Sequence, residues 1–472
     1  MTHTSFEVRI FNLNARKRAD GTFAYRLIWQ VGPKRRFSRS FGTKALADAE
    51  RAKLLTAAKK GEPFELETGR PVSYGSKSAQ VSWYTFAVEF VDGAWPGYSA
   101  NQRKNVAKAL TAATIALFRT PPPSRFDPVR VRTALREWAF HAKRRADKTS
   151  PPADIREILA WVERNTRTMS AWEDAEQVDR VLHALGTKLD GTAAAPSSVL
   201  RHRRIMNLVI EKAVRRKVLS KNPLPKGKVA DAAPSVPVAI DKRSLLNSGQ
   251  IAAMLAWIAT RRYGHVYQAF FATLCYAGLR PEEAVALRVA DLELPVAGAL
   301  TEDGDPAWGE AVIHVAQPEV GSGWTDSGDP HEERGLKGRP KGDTRAVPLH
   351  PDLVALLRAL IVVLKLEKGD LLFPGQLKGQ MLSGSVLRRI WDKAREAVLP
   401  PHVYGSIAGE RVYDCRNICL TNWLNAGIPP ATVAYWAGNS VQVLLAVYAR
   451  CIAGQQADYL RRAYGTRYLL AA

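Results

Sequence analysis

Residues 277–283 have the sequence Ala277-Gly278-Leu279-Arg280-Pro281-Glu282-Glu283, and this stretch decides the fold of the second half of the chain. An apolar segment at 265–277 precedes it and predicts a buried helix, and a second helix is expected at 282–290. Glycine and proline between two helices are typical of a turn. The sequence therefore places Arg280 in a polar turn that joins two helices.

Two later stretches supply the same kind of chemistry. Tyr413-Asp414-Cys415-Arg416-Asn417 carries a second arginine, and Ala446-Val447-Tyr448-Ala449-Arg450 carries a late tyrosine. Arginine stays charged and can bind a phosphate through two hydrogen bonds. A tyrosine, with an ordinary pKa of about 10, must lose its proton as it attacks. Two arginines followed by a late tyrosine indicate a phosphodiester that is attacked by a phenol.

The composition of the chain indicates a polyanionic partner. The 472 residues include 68 Lys and Arg against 45 Asp and Glu, a formal net charge of +23. On a globular chain with 46% hydrophobic residues, this excess of positive charge favours nucleic acid over other partners. The N-terminus lacks an apolar signal segment, and the most apolar stretch, 353–366, is too short and too charged to span a membrane. We therefore expect no membrane partner.

The four cysteines indicate neither a metal site nor an oxidising compartment. Cys275, Cys415, Cys419 and Cys451 do not have the paired spacing of a zinc site, so no metal ligands are expected. Few cysteines in a long chain are typical of a reducing cytoplasm. The expected location is therefore the cytoplasm.

The motifs of the second half resemble those of the tyrosine recombinases, or phage integrases. Residues 277–283 resemble the first arginine box of that family, and residues 413–417 resemble the second, which is usually written His-x-x-Arg. Ala437-Gly438-Asn439-Ser440 resembles the Gly-His-Ser box, and Val447-Tyr448-Ala449 resembles the nucleophile box. The order and spacing of the boxes over residues 248–455 are those of the family. The set is far more specific than any single box.

The resemblance implies a role for each of these residues. Tyr448 would attack the scissile phosphate, Arg280 and Arg416 would clamp it, and Glu283 would brace the site. Lys337 would protonate the leaving 5′-hydroxyl. A strand pair is expected around Leu336 and Arg345–Leu349. The family's lysine lies on a β-hairpin between the arginine boxes, and Lys337, on the first of these strands, is favoured because Gly-Leu-Lys before a Thr-Arg-x-Val-Pro strand resembles an actinobacterial branch of the family. Lys341, in the Pro-Lys-Gly-Asp turn, is the alternative.

Two positions depart from the family pattern. Tyr413 replaces the first histidine, as it does in the same actinobacterial branch, and Asn439 stands where a second histidine or a tryptophan is common. A phenol or an amide can donate a hydrogen bond to a phosphate oxygen. Neither group shuttles protons near pH 7 as histidine does. Asn439 therefore keeps open the alternative of a weakened or inactive integrase that only binds DNA.

The first half of the chain predicts two DNA-binding domains. Residues 6–10, 23–31 and 37–41 are expected to form a three-stranded sheet, followed by a helix with Thr43 as N-cap and Gly61 beyond its end. Basic residues near one strand suit a sheet that lies in a DNA groove; they are Lys34, Arg35, Arg36 and Arg39. The layout resembles the arm-type DNA-binding domain of integrases, here residues 1–65.

A long basic helix predicts the second contact with DNA. Residues 78–226 are expected to form an all-α core-site-binding domain, between linkers at 61–77 and 226–247. Its clearest helix spans 197–219, with Ile205, Leu208, Val209 and Ala213 on one face. The other face carries basic residues that favour phosphate contacts; the candidates are Arg201, Arg204, Arg215 and Arg216.

The predicted fold class is thus multidomain, with a small N-terminal three-stranded β-sheet plus helix, an all-α domain, and a mixed α+β, mainly helical, catalytic domain at 245–472. The resemblance implies recombination at attachment sites in double-stranded DNA, by a homo-tetramer and without a cofactor. A directionality factor or a host DNA-bending protein is the candidate for a further partner. A type IB topoisomerase, which shares the chemistry, is the other alternative. The tail at 452–472 has the spacing of a helix, which would pack on its own domain or on a neighbouring protomer.

Overall fold

The computed structural model describes residues 4–17, 23–75, 80–147, 150–225, 239–340, 342–377 and 379–448. The chain divides into two compact units, Met1–Ala233 and Pro234–Ala472, and both are mainly helical with small sheets. The division of the first unit into an arm-type and a core-type domain stays a prediction. No helix within the described ranges has both the length and the apolar character that a membrane crossing requires.

The first unit begins with strands and continues with helices. Its strands are β1 (Thr4–Ser5), β2 (Val8–Ile10), β3 (Asn14–Lys17), β4 (Phe23–Val31), β5 (Arg35–Phe41) and β6 (Phe64–Glu65). Its helices are α1 (Lys44–Lys59), α2 (Val72–Gly75), α3 (Trp83–Ala94), α4 (Ala100–Ala116), α5 (Pro128–Thr133), α6 (Ala142–Ala146), α7 (Ala153–Asn165), α8 (Ala175–Gly186) and α9 (Pro196–Arg215). Short 3-10 or π-helical turns lie at Trp95–Gly97, Ala134–Ala139 and Met169–Glu173.

The N-terminal sheet is built around β4. β5 pairs with one edge of β4, while β2 and β3 pair with the other edge, β2 opposite its end and β3 opposite its start. The sheet therefore has four strands rather than the predicted three, because its first edge strand is broken in two. Alternate β4 residues, Leu27, Trp29 and Val31, are buried against α1 and Phe64, as the two-residue repeat of a strand requires. The predicted N-cap Thr43 of α1 is confirmed.

The helices of the first unit bury aromatic side chains. Trp83 of α3 packs against Trp172, with ring centroids 5.0 Å apart, and its indole nitrogen donates to Thr114. Along α9 the buried residues follow the helical repeat; they are Ile205, Met206, Val209, Ile210 and Ala213. Leu208, which the sequence predicted to be on this face, is 51% exposed. The apolar face of α9 is therefore rotated from the predicted one.

The second unit is a helical domain with one small sheet. Its helices are α10 (Ser248–Ala259), α11 (Gly264–Ala277), α12 (Pro281–Ala284), α13 (Pro351–Leu364), α14 (Gly384–Val398), α15 (Pro401–Tyr404), α16 (Asp414–Asn425), α17 (Pro430–Ala437) and α18 (Val441–Tyr448). Its strands are β7 (Leu292–Glu293), β8 (Gly309–Ile313) and β9 (Arg345–Leu349), which form an antiparallel sheet in that order. Short 3-10 turns lie at Lys242–Ser244 and Val289–Asp291.

The core of the second unit holds α11 and α16 together. Phe270 and Phe271 of α11 are fully buried beside Phe373 and Trp391, and Leu420 of α16 belongs to the same core. The two helices carry Gly278 and Arg416 respectively, at the end of α11 and within α16. Packing of the core therefore sets the distance between the first and second arginine stretches.

Two sequence predictions in this unit are wrong. The helix expected at 282–290 ends at Ala284, and residues 289–291 form a separate 3-10 turn. The strand expected around Leu336 does not form: β9 pairs with β8 instead, and residues 337–338 are in a turn. Leu336 is buried in the core but takes no place in the sheet.

Candidate active site

Arg280 is held at the junction between α11 and α12. Gly278 ends α11 in the left-handed region, at φ 60°, and a Cβ there would meet Leu420 at 2.7 Å. Arg280 then takes the N-cap position of α12, and its backbone N–H donates to the Glu283 carboxylate over 3.0 Å. Its guanidinium Nη1 donates to the same carboxylate over 2.7 Å. Proline is favoured at the first helical position, where Pro281 lies. The local sequence therefore fixes the relative positions of the Arg280 and Glu283 side chains.

Glu283 is the buried anion of the site. Arg345, the first residue of β9, binds it through two hydrogen bonds, 3.0 Å and 2.6 Å long, and both side chains are 1% exposed. Burial alone would raise the pKa of Glu283. The hydrogen bonds and charge of Arg345, with Arg280 and Arg416 nearby, lower that pKa to about 2. Glu283 therefore stays ionised and braces two arginines at once.

Arg416 lies inside α16 and is 0% exposed. One Nη atom donates to the carbonyl of Gly278, and the other donates to the carbonyl of Ala437 over 2.7 Å. Its Nε atom has no hydrogen-bond partner among the residues that the structure describes. A buried, charged N–H without a partner is costly, so this atom is a candidate donor to a ligand.

Asn439 joins the two arginines of the predicted clamp. Its Oδ1 atom accepts from Arg280 Nη2 over 2.9 Å and from Arg416 Nη2 over 3.4 Å. Gly438 before it adopts a φ of 63°, and its carbonyl accepts from Arg280 over 2.8 Å. A Cβ at Gly438 would lie 3.0 Å from the Arg345 guanidinium. Glycine is therefore needed here for both conformation and space.

Tyr448 ends α18 close to the arginines and is 3% exposed. Its phenol donates to Asn417 Oδ1 over 2.9 Å, and Asn417 Nδ2 donates to Asp414 over 3.0 Å. Burial raises the pKa of Tyr448 far above its ordinary value, which the charge of Arg416 partly offsets. The phenol is thus protonated and held by the residue that follows Arg416.

Tyr413 precedes α16 and is 38% exposed. It lines a surface pocket with Pro281 and Arg411. Tyr413 thus shares a pocket with Pro281 of the first arginine stretch, and it is more exposed than Arg280, Arg416 or Asn439. The structure therefore brings together six of the predicted site residues: Arg280, Glu283, Tyr413, Arg416, Asn439 and Tyr448.

The two candidate lysines have different outcomes. Lys337 is exposed in the turn at 337–338, and no hydrogen bond joins it to the arginine cluster within the described part of the chain. Arg339, two residues later, packs over the Tyr435 ring of α17 at 5.5 Å. This contact ties the turn to the helix that leads to Asn439. Lys341 lies outside the described residues, as does the tail at 452–472.

The predicted DNA-contacting residues of the N-terminal sheet divide between its faces. Arg36 pairs with Gln30 across the strands, on the face opposite α1. Arg35 and Arg39 pair with Val31 and Leu27, on the α1 face. Arg35 donates to the Leu66 carbonyl over 2.7 Å, and Arg39 forms an ion pair with Glu50 over 3.2 Å. Lys34 is exposed in the turn before β5.

The outer face of this sheet carries further arginines that sequence reasoning missed. Arg9 pairs with Gln30, and Arg26 pairs with Ser40, so both lie on the face of Arg36. The guanidinium groups of Arg9 and Arg36 flank the Phe11 ring at 5.5 Å and 5.7 Å. The two-residue alternation counted from buried Leu27 could have separated the faces.

On α9, Arg201, Arg204 and Arg215 are exposed. Arg216, the C-cap residue, forms a 2.8 Å ion pair with Glu89. Arg201, Arg204 and Arg215 are therefore exposed to solvent, whereas Arg216 is paired with Glu89 of the same unit.

Sequence reasoning also missed Arg345, Asp414 and Asn417 of the second unit. Arg345 stands in the Thr-Arg-x-Val-Pro strand, and its alternation with Val347 and Leu349, both buried, could have indicated an inward arginine. Asp414 and Asn417 are one helical turn apart in α16, which predicts contact between their side chains. Within the described ranges, no group of three or more His, Cys, Asp or Glu residues could hold a metal ion.

Comparisons with known proteins find likeness in structure and none in sequence. No protein-family model matches the chain, and no curated protein matches it. Similar solved structures are a Tn1549 transposon integrase in complex with a circular intermediate DNA, the XerH site-specific recombinase bound to a palindromic difH substrate, and the lambda integrase bound to DNA. Their identities to this chain are 15%, 13% and 13%, with TM-scores of 0.43, 0.43 and 0.35.

These structures are matched over most of their own length. The likeness covers 69%, 78% and 63% of this chain, and 97%, 96% and 90% of the three neighbours. All three are integrases or recombinases.

Proposed function

We propose that the chain is a site-specific DNA recombinase of the integrase type, which cleaves and rejoins DNA through a phosphotyrosine at Tyr448. The observation that supports this proposal is that Arg280 and Arg416 both donate to the same atom, Asn439 Oδ1, close to the buried phenol of Tyr448. Four separate parts of the second unit contribute to this arrangement: the α11–α12 junction, α16, the turn after α17, and the end of α18. A structural ion pair would need only Arg280 and Glu283.

The proposed reaction exchanges one ester bond for another. The Tyr448 oxygen attacks the scissile phosphorus and gives its proton to water, the bond from phosphorus to the 5′-oxygen breaks, and Lys337 gives a proton to that oxygen. The DNA 3′ end is then joined to Tyr448. Attack by the released 5′-hydroxyl reverses the step, so rejoining needs no ATP and no metal or nucleotide cofactor.

The charges of the site suit this reaction. Three arginines, Arg280, Arg345 and Arg416, surround the single carboxylate of Glu283. Two positive charges are left uncompensated, and a five-coordinate phosphate transition state carries two negative charges. Fixed donors at such a state typically contribute on the order of 10²–10³ each in rate. Tyr413 adds one more polar group, on the solvent-exposed side of the site.

Each predicted domain of the chain would have its own role in recombination. Residues 1–65 would bind arm-type DNA sites, residues 78–226 would bind core sites, and residues 245–472 would catalyse strand exchange. The protein would act in the bacterial cytoplasm as a homo-tetramer on paired attachment sites, through a Holliday junction, and integrate or excise a mobile element. A directionality factor or a host DNA-bending protein would set the direction.

Covalent trapping on a nicked DNA that carries the attachment site tests the proposal. The nick lets the 5′ fragment diffuse away after attack, so a protein–DNA adduct should accumulate with the native chain. Tyr448→Phe should bind the DNA equally well and form no adduct. An adduct of equal yield in Tyr448→Phe would assign the nucleophile to another residue.

Two other functions give different results in related assays. A type IB topoisomerase would relax plasmid that lacks any attachment site. An inactive integrase descendant would bind the attachment site without forming an adduct, and Asn439 is the residue that favours this alternative. The exposed arginines of the N-terminal sheet favour the recombinase over the topoisomerase.

A further inference from the structure

Asn439 is unusual because one neutral atom serves two buried arginines. Among the described residues, Asn439 Oδ1 is the single acceptor that both Arg280 and Arg416 bind. A guanidinium has donors and no acceptor. The amide must therefore turn its oxygen, and not its nitrogen, toward the pair.

The backbone holds this oxygen in place. Asn439 N–H donates to the Ala434 carbonyl over 2.9 Å, which closes the end of α17. Gly438 provides the left-handed turn beside the Arg345 guanidinium, so the backbone is confined there and the side chain of Asn439 is the part that can turn away. The fold therefore places the Asn439 amide oxygen next to the two arginines.

Asn439 Oδ1 accepts hydrogen bonds from both arginines but does not neutralise their charges. Glu283 compensates one of the three positive charges, and an amide adds hydrogen bonds but no charge. The point between Arg280 Nη2 and Arg416 Nη2 therefore still attracts an anion, as a cleft lined with one sign of charge does. Arg416 Nε also keeps an unused donor beside it.

We propose that Asn439 Oδ1 occupies, in the free protein, the position of a non-bridging oxygen of the scissile phosphate, and that the phosphate binds by displacing it. Asn439 is then an internal competitor that closes the clamp, and not a ligand of the phosphate. The inference rests on the proposed function, because the anion in question is the phosphate that Tyr448 would attack. It differs from the role that the sequence assigned to Asn439, a hydrogen bond donated to the phosphate.

Isothermal titration calorimetry of the full chain with inorganic phosphate distinguishes the two roles of Asn439, as a competitor of the phosphate or as a ligand of it. Asn439→Ala removes the competitor, so phosphate should bind roughly tenfold more tightly, the factor for about one hydrogen bond to a charged group. Asn439→Asp puts a charged acceptor between the arginines, so phosphate should bind at least roughly tenfold more weakly. Surface sites for phosphate are the same in all variants and cancel in the comparison.

Asn422→Asp is the matched control. Asn422 is exposed on α16, the helix of Arg416, and the substitution adds the same charge outside the clamp. It should leave phosphate affinity within about twofold of the native chain. Thermal unfolding of each variant checks that the domain stays folded.

Weaker or unchanged phosphate binding by Asn439→Ala would overturn the proposal, since a phosphate ligand at 439 would give weaker binding. Equal binding by Asn439→Asp and the native chain would also overturn it. The titration needs neither DNA nor Tyr448. A failure of covalent trapping and a failure of this inference can therefore be told apart.

Discussion

The N-terminal sheet and the site in the second unit both depend on arginine, but they use it differently. Arg9, Arg26 and Arg36 lie exposed on the outer face of the sheet. Arg280 and Arg416 are 9% and 0% exposed, and each makes hydrogen bonds to backbone carbonyls of its own domain. The sheet arginines are accessible to solvent, whereas the site arginines are buried and bound to protein groups.

This difference separates affinity from chemistry. Exposed arginines bind phosphates by releasing counterions, so their contribution falls as salt rises. Buried arginines are fixed before DNA arrives, and preorganised donors stabilise charge that develops in a transition state. We therefore expect substitutions in the site to change the rate of cleavage, and substitutions on the sheet to change the strength and salt dependence of binding.

The largest effect is expected for Arg416→Lys. Lysine keeps the charge but cannot reach the Gly278 and Ala437 carbonyls and the phosphate together. Adduct formation in a single turnover on nicked attachment-site DNA should fall by roughly 10²–10³. Affinity for the same DNA, measured by gel shift, should change less than about twofold. An equal loss in rate and affinity would contradict the separation.

The second prediction concerns acid stability of the site. The pKa of Glu283 is lowered to about 2 in the folded protein. Its ionised form therefore stabilises the fold above its unfolded pKa of about 4.5, and this contribution disappears as pH falls toward 2. Its size is on the order of 3 kcal/mol.

Urea unfolding at several pH values measures this contribution. Glu283→Gln should destabilise the chain most near pH 6, because it leaves Arg345 buried without an anion. The difference from the native chain should shrink as pH falls from about 4.5 toward 2. A difference that is constant with pH would show that Glu283 does not titrate in this window.

The third prediction compares two arginines of the same strand. Arg36 is on the outer face, and Arg39 is paired with Glu50 on the α1 face. Arg36→Ala should weaken binding of arm-site DNA a few-fold and reduce the salt slope by about 1. Arg39→Ala should leave the slope unchanged in the same fluorescence titration. The reverse order would place the DNA on the other face of the sheet.

The smallest effect is expected on α9. Arg204 is exposed, while Arg216 is engaged by Glu89. Arg204→Ala should weaken core-site binding a few-fold, with a lower salt slope. Arg216→Ala should change it less than about twofold, because its charge is already partly compensated. A larger effect at Arg216 would mean that DNA displaces Glu89.

The sequence alone predicted much of this arrangement, for physical reasons. Arg280 and Glu283 are three residues apart at a helix start, so local geometry brings them together. Gly278 and Pro281 marked the turn, β4 was visible from its alternation, and β9 was expected at Arg345–Leu349. These features depend on neighbours in the chain.

What the sequence could not predict depends on distant packing. The ion pair between Glu283 and Arg345 joins residues 62 apart, and the hydrogen bond between Asn417 and Tyr448 joins residues 31 apart. Asn439 was noticed as a departure, but its contact with both arginines depends on where α17 ends. Lys337 was predicted on a strand beside Arg345–Leu349, but residues 337–338 lie in a turn and Leu336 is buried in the core.

The most direct test of the central claim is to locate the covalent bond. The trapped adduct should be digested with nuclease and protease, and the peptide that carries a nucleotide identified by mass spectrometry. The account predicts a nucleotide joined through its 3′-phosphate to Tyr448. A nucleotide on any other residue, or no adduct on the true attachment site, would contradict it.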